Sequence, residues 1–513
     1  MVKRFLAVGI LCLSLTTLPS EADVTVNIHV DKPASKINRN IYGQFMEHLG
    51  RGIYEGIWVG ENSEIPNTNG YRNDVLAALK ELQVPLLRWP GGCFADEYHW
   101  QDGIGPKEER AKRVNTTWGG VIDDNRFGTH EFLDLAEMLN AEVYVNGNLG
   151  TGTPTEMAQW LEYMTSDSDS TLANQRRANG RDKPWRIDHF AIGNEAWGCG
   201  GNMTPEYYTD LYKHYATFAK TPHDNTPLFI ASGGQNAQTD WTETLIKAKK
   251  TGVKMDAISH HYYTLPTGDW GKKGAALDFP ESEWLSTMVN TVKIEKFLMD
   301  NIAIMDKYDP EAKVAFNVDE WGTWFDVSEG EPGFLYQQNS LRDAIVAAVN
   351  LNIFHKYAKR VQMSNIAQMI NVLQAMILTD KEKMLLTPTY HVFKMHVPFQ
   401  DASYLPLTLK NNGKYGEGEN SVDKISASAA VTKTGEQWLT LVNLDPNKAE
   451  TIRLDGKYQG VKGQILTDVK MDAHNTFDKP NNLAPRQFEV KASNDNFAFE
   501  LPAKSVIVVK LNN

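Results

Sequence analysis

Cysteine is scarce, with three residues in a chain of 513. So few cannot staple a fold of this size, and the chain is no disulfide scaffold even in an oxidising compartment. Cys12 falls in an apolar N-terminal stretch, which leaves Cys93 and Cys199. The sequence leaves open whether these two are bridged or free. Excess positive charge is also missing: 52 Lys and Arg stand against 64 Asp and Glu, a net charge of -12. Such a surface repels phosphate backbones and anionic lipid, so nucleic acid and membrane surfaces are excluded as partners and a neutral substrate fits better. Internal repeats and low-complexity tracts are absent. Glu47-His48 lacks the second histidine that a metalloprotease helix needs. Gly147-Asn148-Leu149-Gly150-Thr151-Gly152 is rich in glycine, but its spacing is not that of a dinucleotide fingerprint. Cys93 and His99 have no visible third group to make a thiol hydrolase. The expectation is therefore no metal and no organic cofactor.

What is present begins with a leader. Lys3 and Arg4 precede an apolar run over residues 5–18, and Ser20-Glu21-Ala22 offers small residues where a signal peptidase cuts. The run is too short to span a bilayer well. The expectation is a signal peptide over 1–22, export to the periplasm or the medium, and no membrane insertion of the mature chain.

Hydrophobic residues make up 42% of the chain, enough for a large core. Eight short apolar runs, at 41–45, 85–89, 142–145, 189–193, 228–231, 257–261, 314–318 and 365–370, alternate with helical periodicity. Asn73 and Thr129 offer helix N-caps, and Thr204-Pro205 is an N-cap followed by proline at the first helical position. Eight such units predict a (β/α)8 TIM barrel, with a doubly wound open sheet as its rival. From about residue 400 the pattern turns to alternating strands. Trp438 and Thr440 share one face, Leu439 and Leu441 the other, and 505–511 is β-branched, as in a β-sandwich. Val24, Val26, Ile28 and Val30 form one half-buried strand too short to stand alone. The expected organisation is 23–38 as a strand joining the sandwich, 39–400 as the catalytic barrel and 401–513 as a C-terminal, jelly-roll-like β-sandwich.

Two carboxylates stand apart from the rest. Glu195 ends one apolar run and Glu320 another, and Trp-Gly follows each closely. A carboxylate at the C-terminal end of a barrel strand sits where barrel active sites are built. On the strand count these are strands four and seven, which face each other across the mouth. Paired carboxylates are what glycoside hydrolysis needs, one to protonate the leaving oxygen and one to attack the anomeric carbon. A retaining pair predicts a carboxyl separation of about 5 Å. Asp319 is expected to point to the other side of its strand.

Longer stretches carry a resemblance. GQFMEHLGRGIYEGIWVG (43–60), PNTNGYRN (66–73), LRWPGGCFADEYHW (87–100), NGNLGTGT (146–153), GNEAWGCGGNM (193–203), SHHYYTLP (259–266), DEWG (319–322) and TPTYHVF (387–393) resemble the α-L-arabinofuranosidases of glycoside hydrolase family 51. The resemblance implies a barrel with a sandwich, Glu195 as acid/base and Glu320 as nucleophile. It implies Glu47, Cys93, Asn194, Tyr263 and Gln374 as substrate-binding residues, with Arg88 and His261 in support. His260 departs from the usual apolar residue and is expected in the barrel wall. The implied reaction is retaining, exo-acting release of terminal α-L-arabinofuranosyl residues from arabinose-containing hemicellulose or pectin, by a homo-oligomer, a hexamer. Trp100, Trp118 and Trp270 lie in loops where they can stack on glycan. The rival readings are an endo-β-glucanase on the same scaffold and a non-catalytic glycan-binding protein.

Overall fold

The computed structural model describes residues 23–235, 238–327, 334–492 and 497–512, so the leader expected over 1–22 lies outside the described residues. Eight parallel strands close a barrel: Gly43–Phe45, Leu86–Trp89, Glu142–Gly147, His189–Ile192, Leu228–Gln235, Ala257–Thr264, Ala315–Thr323 and Val361–Ala367. They are buried along nearly their whole length, as strands covered by helices outside and by packed side chains inside must be. This explains why they read as continuous apolar runs rather than alternating ones. The eighth strand starts four residues before the run that announced it. Residues 368–378 beyond it are all buried, so hydrophobicity alone does not separate that strand from the loop that follows.

The helix starts follow their chemistry unevenly. Thr204 accepts from Tyr207 N and caps the helix Pro205–Phe218. Asn73 and Thr129 instead occupy the first helical positions of Asn73–Leu82 and Thr129–Leu139. Gly128 precedes the second of these because a Cβ there would meet Gly103 O at 2.0 Å. The Glu131 carboxylate then caps Gly128 N from within the helix.

The C-terminal region forms two sheets. Ser403–Leu405, Ile425–Val431, Gln437–Asn443, Ser505–Asn512, Gly460–Thr467 and Arg486–Lys491 make the larger. Leu407–Lys410, Val24–Ile28, Glu450–Asp455 and Ala498–Leu501 make the smaller, so the N-terminal strand lies inside this unit. Val24, Val26 and Ile28 share its core with Leu439, Leu441, Ile507 and Val509. Among the described residues no helix is long and apolar enough to cross a membrane.

Candidate active site

The C-terminal ends of the barrel strands surround a cavity of about 290 Å³. Its floor is set by a local irregularity. Between the sixth and seventh strands the register steps from Ser259 opposite Asn317 to His261 opposite Glu320, so the seventh strand carries one extra residue. A bulge of this kind re-aims side chains. It overturns the expected alternation at Asp319, because Asp319 and Glu320 both turn toward the barrel interior. Tyr144 O–H donates to Asp319 Oδ2 at 2.5 Å, and Asp319 Oδ1 lies 3.3 Å from His261 Nε2.

Glu320 receives Arg88 Nη1 at 2.9 Å on Oε1 and the Tyr263 hydroxyl at 2.9 Å on Oε2. Burial pushes its carboxyl above the usual range, and the charges of His261 and Arg88 limit the rise. Arg88 is fully buried and also donates from Nη2 to Asn194 Oδ1 at 2.6 Å. Burial would strip the proton from His261, but Glu320, Asp319 and Glu195 outweigh it and raise that imidazole to about 10. His261 is therefore a cation at neutral pH, with Nδ1 2.7 Å from Glu195 Oε1 and 3.4 Å from Glu320 Oε2.

Glu195 lies just past the fourth strand in a left-handed backbone conformation, φ 40°, unusual for a residue with a side chain. One of its oxygens and one of Glu320's lie within 4.8 Å of each other. Cys93 and Cys199 form a disulfide, the question that the sequence left open. Their sulfurs lie 3.7 and 3.3 Å from Glu195 Oε2. A disulfide has no S–H to donate, so these are contacts and not hydrogen bonds. Among the described residues no N–H or O–H is bonded to Oε2, which is left facing the cavity with its lone pairs unused.

Glu47 forms the opposite wall. Its Oε1 accepts from Phe94 N at 3.0 Å and Trp118 Nε1 at 2.8 Å, and its Oε2 from Gln368 Nε2 at 3.0 Å. Burial and the charge of Glu320 push it up to about 7. Gly91 and Gly92 are needed beside it, because a Cβ at either would meet Glu47 at 2.8 Å.

The structure brings Glu47, Cys93, Glu195, His261, Tyr263 and Glu320 to the cavity wall, with Arg88 and Asn194 buried directly behind. It does not bring Gln374 there. That side chain is buried elsewhere, accepting from Thr323 N and donating to Asp343 O and Thr389 Oγ1. Gln368 takes the place at the wall. His260 lies outside the barrel, stacked on Phe316 at 4.1 Å and bonded to Thr242. Of the three tryptophans, Trp118 and Trp270 line the cavity, whereas Trp100 is buried and packs against Tyr163. Trp197, noted only as a neighbour of Glu195, and Trp324, not singled out, also line it. Their position two and four residues after the glutamates was the available signal. Gln235 and Gln368 carried none.

Comparison with known proteins adds a second line of evidence. The model of the α-L-arabinofuranosidase 1 domain matches residues 78–277, and that of the α-L-arabinofuranosidase C-terminal domain matches residues 319–505. An intracellular exo-α-L-arabinofuranosidase of Bacteroides ovatus is 49% identical over 99% of both chains. The crystal structure of the family 51 arabinofuranosidase of Xanthomonas axonopodis pv. citri is 49% identical, covers 96% of this chain and 100% of its own, and superposes with a TM-score of 0.93. The α-L-arabinofuranosidase of Thermotoga maritima in its arabinose complex is 29% identical, covers 95% of this chain and 99% of its own, and gives a TM-score of 0.81. The first of these relatives corrects one expectation. Export to the periplasm or the medium was read from the leader, yet a relative that aligns end to end with this chain is named as intracellular.

Proposed function

Because the chain belongs to the α-L-arabinofuranosidases of glycoside hydrolase family 51, we propose that it releases terminal α-L-arabinofuranosyl residues from arabinose-containing glycans by double displacement with retention. The observation that supports the retaining reading is that one oxygen of Glu195 lies within 4.8 Å of one oxygen of Glu320, with the His261 imidazole touching both carboxylates. Retaining carboxyl groups stand about 5–5.5 Å apart, whereas inverting pairs leave roughly 6.5–9.5 Å for a water.

In this reading Glu320 attacks the anomeric carbon, held by Arg88 and by the Tyr263 hydroxyl. Glu195 donates a proton from its free Oε2 to the departing oxygen, and a covalent arabinosyl-enzyme forms. Glu195 then takes a proton from water, which attacks the same carbon and frees arabinose. His261 touches both carboxylates and holds them in one charge network. Glu47, with Trp118 and Gln368 bound to it, is placed at the cavity wall to accept hydrogen bonds from the sugar hydroxyls, and Asn194, held by Arg88, backs that wall. A cavity of this small volume suits one terminal furanose, and this favours exo action.

The test is proton NMR during hydrolysis of an aryl α-L-arabinofuranoside. The α-anomer should appear first, before mutarotation. First appearance of the β-anomer would rule out the double displacement.

A further inference from the structure

Asp96 is a buried carboxylate outside the reacting pair, in the short turn Cys93–Glu97 after the second barrel strand. Among the described residues no cation lies within ion-pair distance of it; Arg88 acts on it from further off, and burial still pushes its carboxyl up to about 7. Backbone amides from two other loops compensate it instead. Oδ1 accepts from Leu149 N at 2.7 Å and Gly150 N at 2.9 Å, and Oδ2 from Asn194 N at 2.9 Å. Its own carbonyl accepts from Thr151 N and Oγ1. One residue thus joins the loops after strands two, three and four. A buried carboxylate without a cation is costly unless its lone pairs are filled, so its retention needs a reason.

The reason lies in what the third amide belongs to. Asn194 is bracketed by Gly193, φ 84°, and Glu195, φ 40°, so the segment that presents the acid/base runs through two left-handed residues. Such a conformation persists only when its surroundings over-determine it. Asp96 grips it from one side at Asn194 N. The turn after it grips from the other, with Gly198 N and Gly200 N both donating to Glu195 O. A Cβ at Gly200 would meet Asn194 O at 1.8 Å and Asp96 Oδ2 at 2.7 Å, so the two grips share one crowded point. The same turn, Cys93–Glu97, reaches Cys199 through the disulfide and Glu47 through Phe94 N.

We propose that Asp96 is a positioning residue for the acid/base: its carboxylate holds the Asn194 peptide so that Glu195 Oε2 meets the leaving oxygen. An amide cannot replace it, because one of its two polar atoms would then present N–H to a backbone N–H. This proposal rests on Glu195 being the general acid, and the test separates the two.

The experiment compares kcat/KM, which reports the first displacement, for Asp96→Asn and Glu195→Ala on two substrates. One is 2,4-dinitrophenyl α-L-arabinofuranoside, whose leaving group needs no proton. The other is an α-1,5-linked arabinobiose, whose leaving group does. General acid catalysis is worth roughly 10²–10⁴-fold. Asp96→Asn should lose at least about tenfold on arabinobiose and under about threefold on the dinitrophenyl substrate, a split that a merely structural role would not produce. Equal losses on both, or none, while Glu195→Ala shows the split, would overturn the positioning role alone. No split in Glu195→Ala would overturn the acid assignment and the proposal together. If Asp96→Asn does not fold, Asp96→Glu, which keeps the charge but moves the carboxylate off Asn194 N by one methylene, should show the same split.

Discussion

A carboxylate proposed to bind a neutral sugar must be dehydrated without being lost as an acceptor, and the surroundings of Glu47 fit that need. Burial and the charge of Glu320 push it up to about 7, while the donors Phe94 N and Trp118 Nε1 and the charge of Arg88 pull the other way, and Gln368 aims the second oxygen. Among the described residues Gln368 is the donor bonded to Oε2, whereas Oε1 has two. Gln368→Ala should raise KM about five- to tenfold, the roughly 1–1.5 kcal/mol of one hydrogen bond, with little change in thermal midpoint. Gln374→Ala should behave in the opposite way. It leaves Thr323 N and Asp343 O unpaired in a fully buried place and should cost about 2–4 kcal/mol of stability, with KM nearly unchanged. Paired melting curves and steady-state kinetics decide it. An increase in KM in Gln374→Ala would show that the cavity wall extends further than its present lining. The two glutamines lie six residues apart in one buried loop. Nothing in the type, spacing or hydrophobicity of either marks which one reaches the cavity.

Elements explain why most of the site was legible and this part was not. Strand number, order and closure follow from apolar runs alternating with capped helices, and two glutamates at strand ends stand out against that background. Side-chain direction does not follow once the period of two is broken. The bulge opposite His261 turns both Asp319 and Glu320 inward, and nothing in the residue types at 317–320 announces an extra residue. The loop element over the cavity is similarly concealed. Arg113–Val114 and Ile122–Asp123 form a small hairpin whose turn carries Trp118. Asp123 anchors it by accepting from His48 Nδ1 at 2.6 Å and from the Tyr54 hydroxyl at 2.8 Å, next in sequence to Glu47. Trp118→Phe keeps a ring over the cavity but deletes the N–H that reaches Glu47. It should raise KM for an aryl arabinofuranoside about fivefold, near 1 kcal/mol, with kcat within about twofold. A fall in kcat with KM unchanged would place the hairpin's role in the chemical step instead.

At the scale of the whole molecule, the sandwich is a second core pressed on the side of the barrel. The strand Gln437–Asn443 serves both units: Leu439 and Leu441 enter the sandwich core, while Trp438 and Val442 pack with the barrel. Two buried histidines sit in that seam. His355 lies between Tyr42 O–H at 2.7 Å and Ser428 Oγ at 3.0 Å, and His396 reaches Thr440 Oγ1 at 3.1 Å. Burial lowers both, His396 to about 4 and His355 well below its ordinary value. In the unfolded chain they take up protons near 6.5, so folding is opposed once the pH falls below that. The stability they contribute is complete above about 6.5 and is lost as the pH falls toward 4. For a histidine moved to about 4, the loss by pH 5 is about 2 kcal/mol. His261 works the other way. Raised to about 10, its contribution is complete below 6.5 and is lost progressively as the pH rises from about 6.5 to about 10. His355 and His396 should therefore lower the thermal midpoint between pH 7 and pH 5, against the opposite pull of Glu47 and Asp96, whose carboxyls, raised to about 7, take up protons in the folded state first. His396→Gln, which cannot take up a proton, should flatten that drop. Hydrogen exchange at pH 5 should quicken first in Ile425–Val431 and Gln437–Asn443. A midpoint whose pH dependence is unchanged in His396→Gln, or exchange that quickens first in the barrel strands, would mean that acid attacks the molecule somewhere other than this seam.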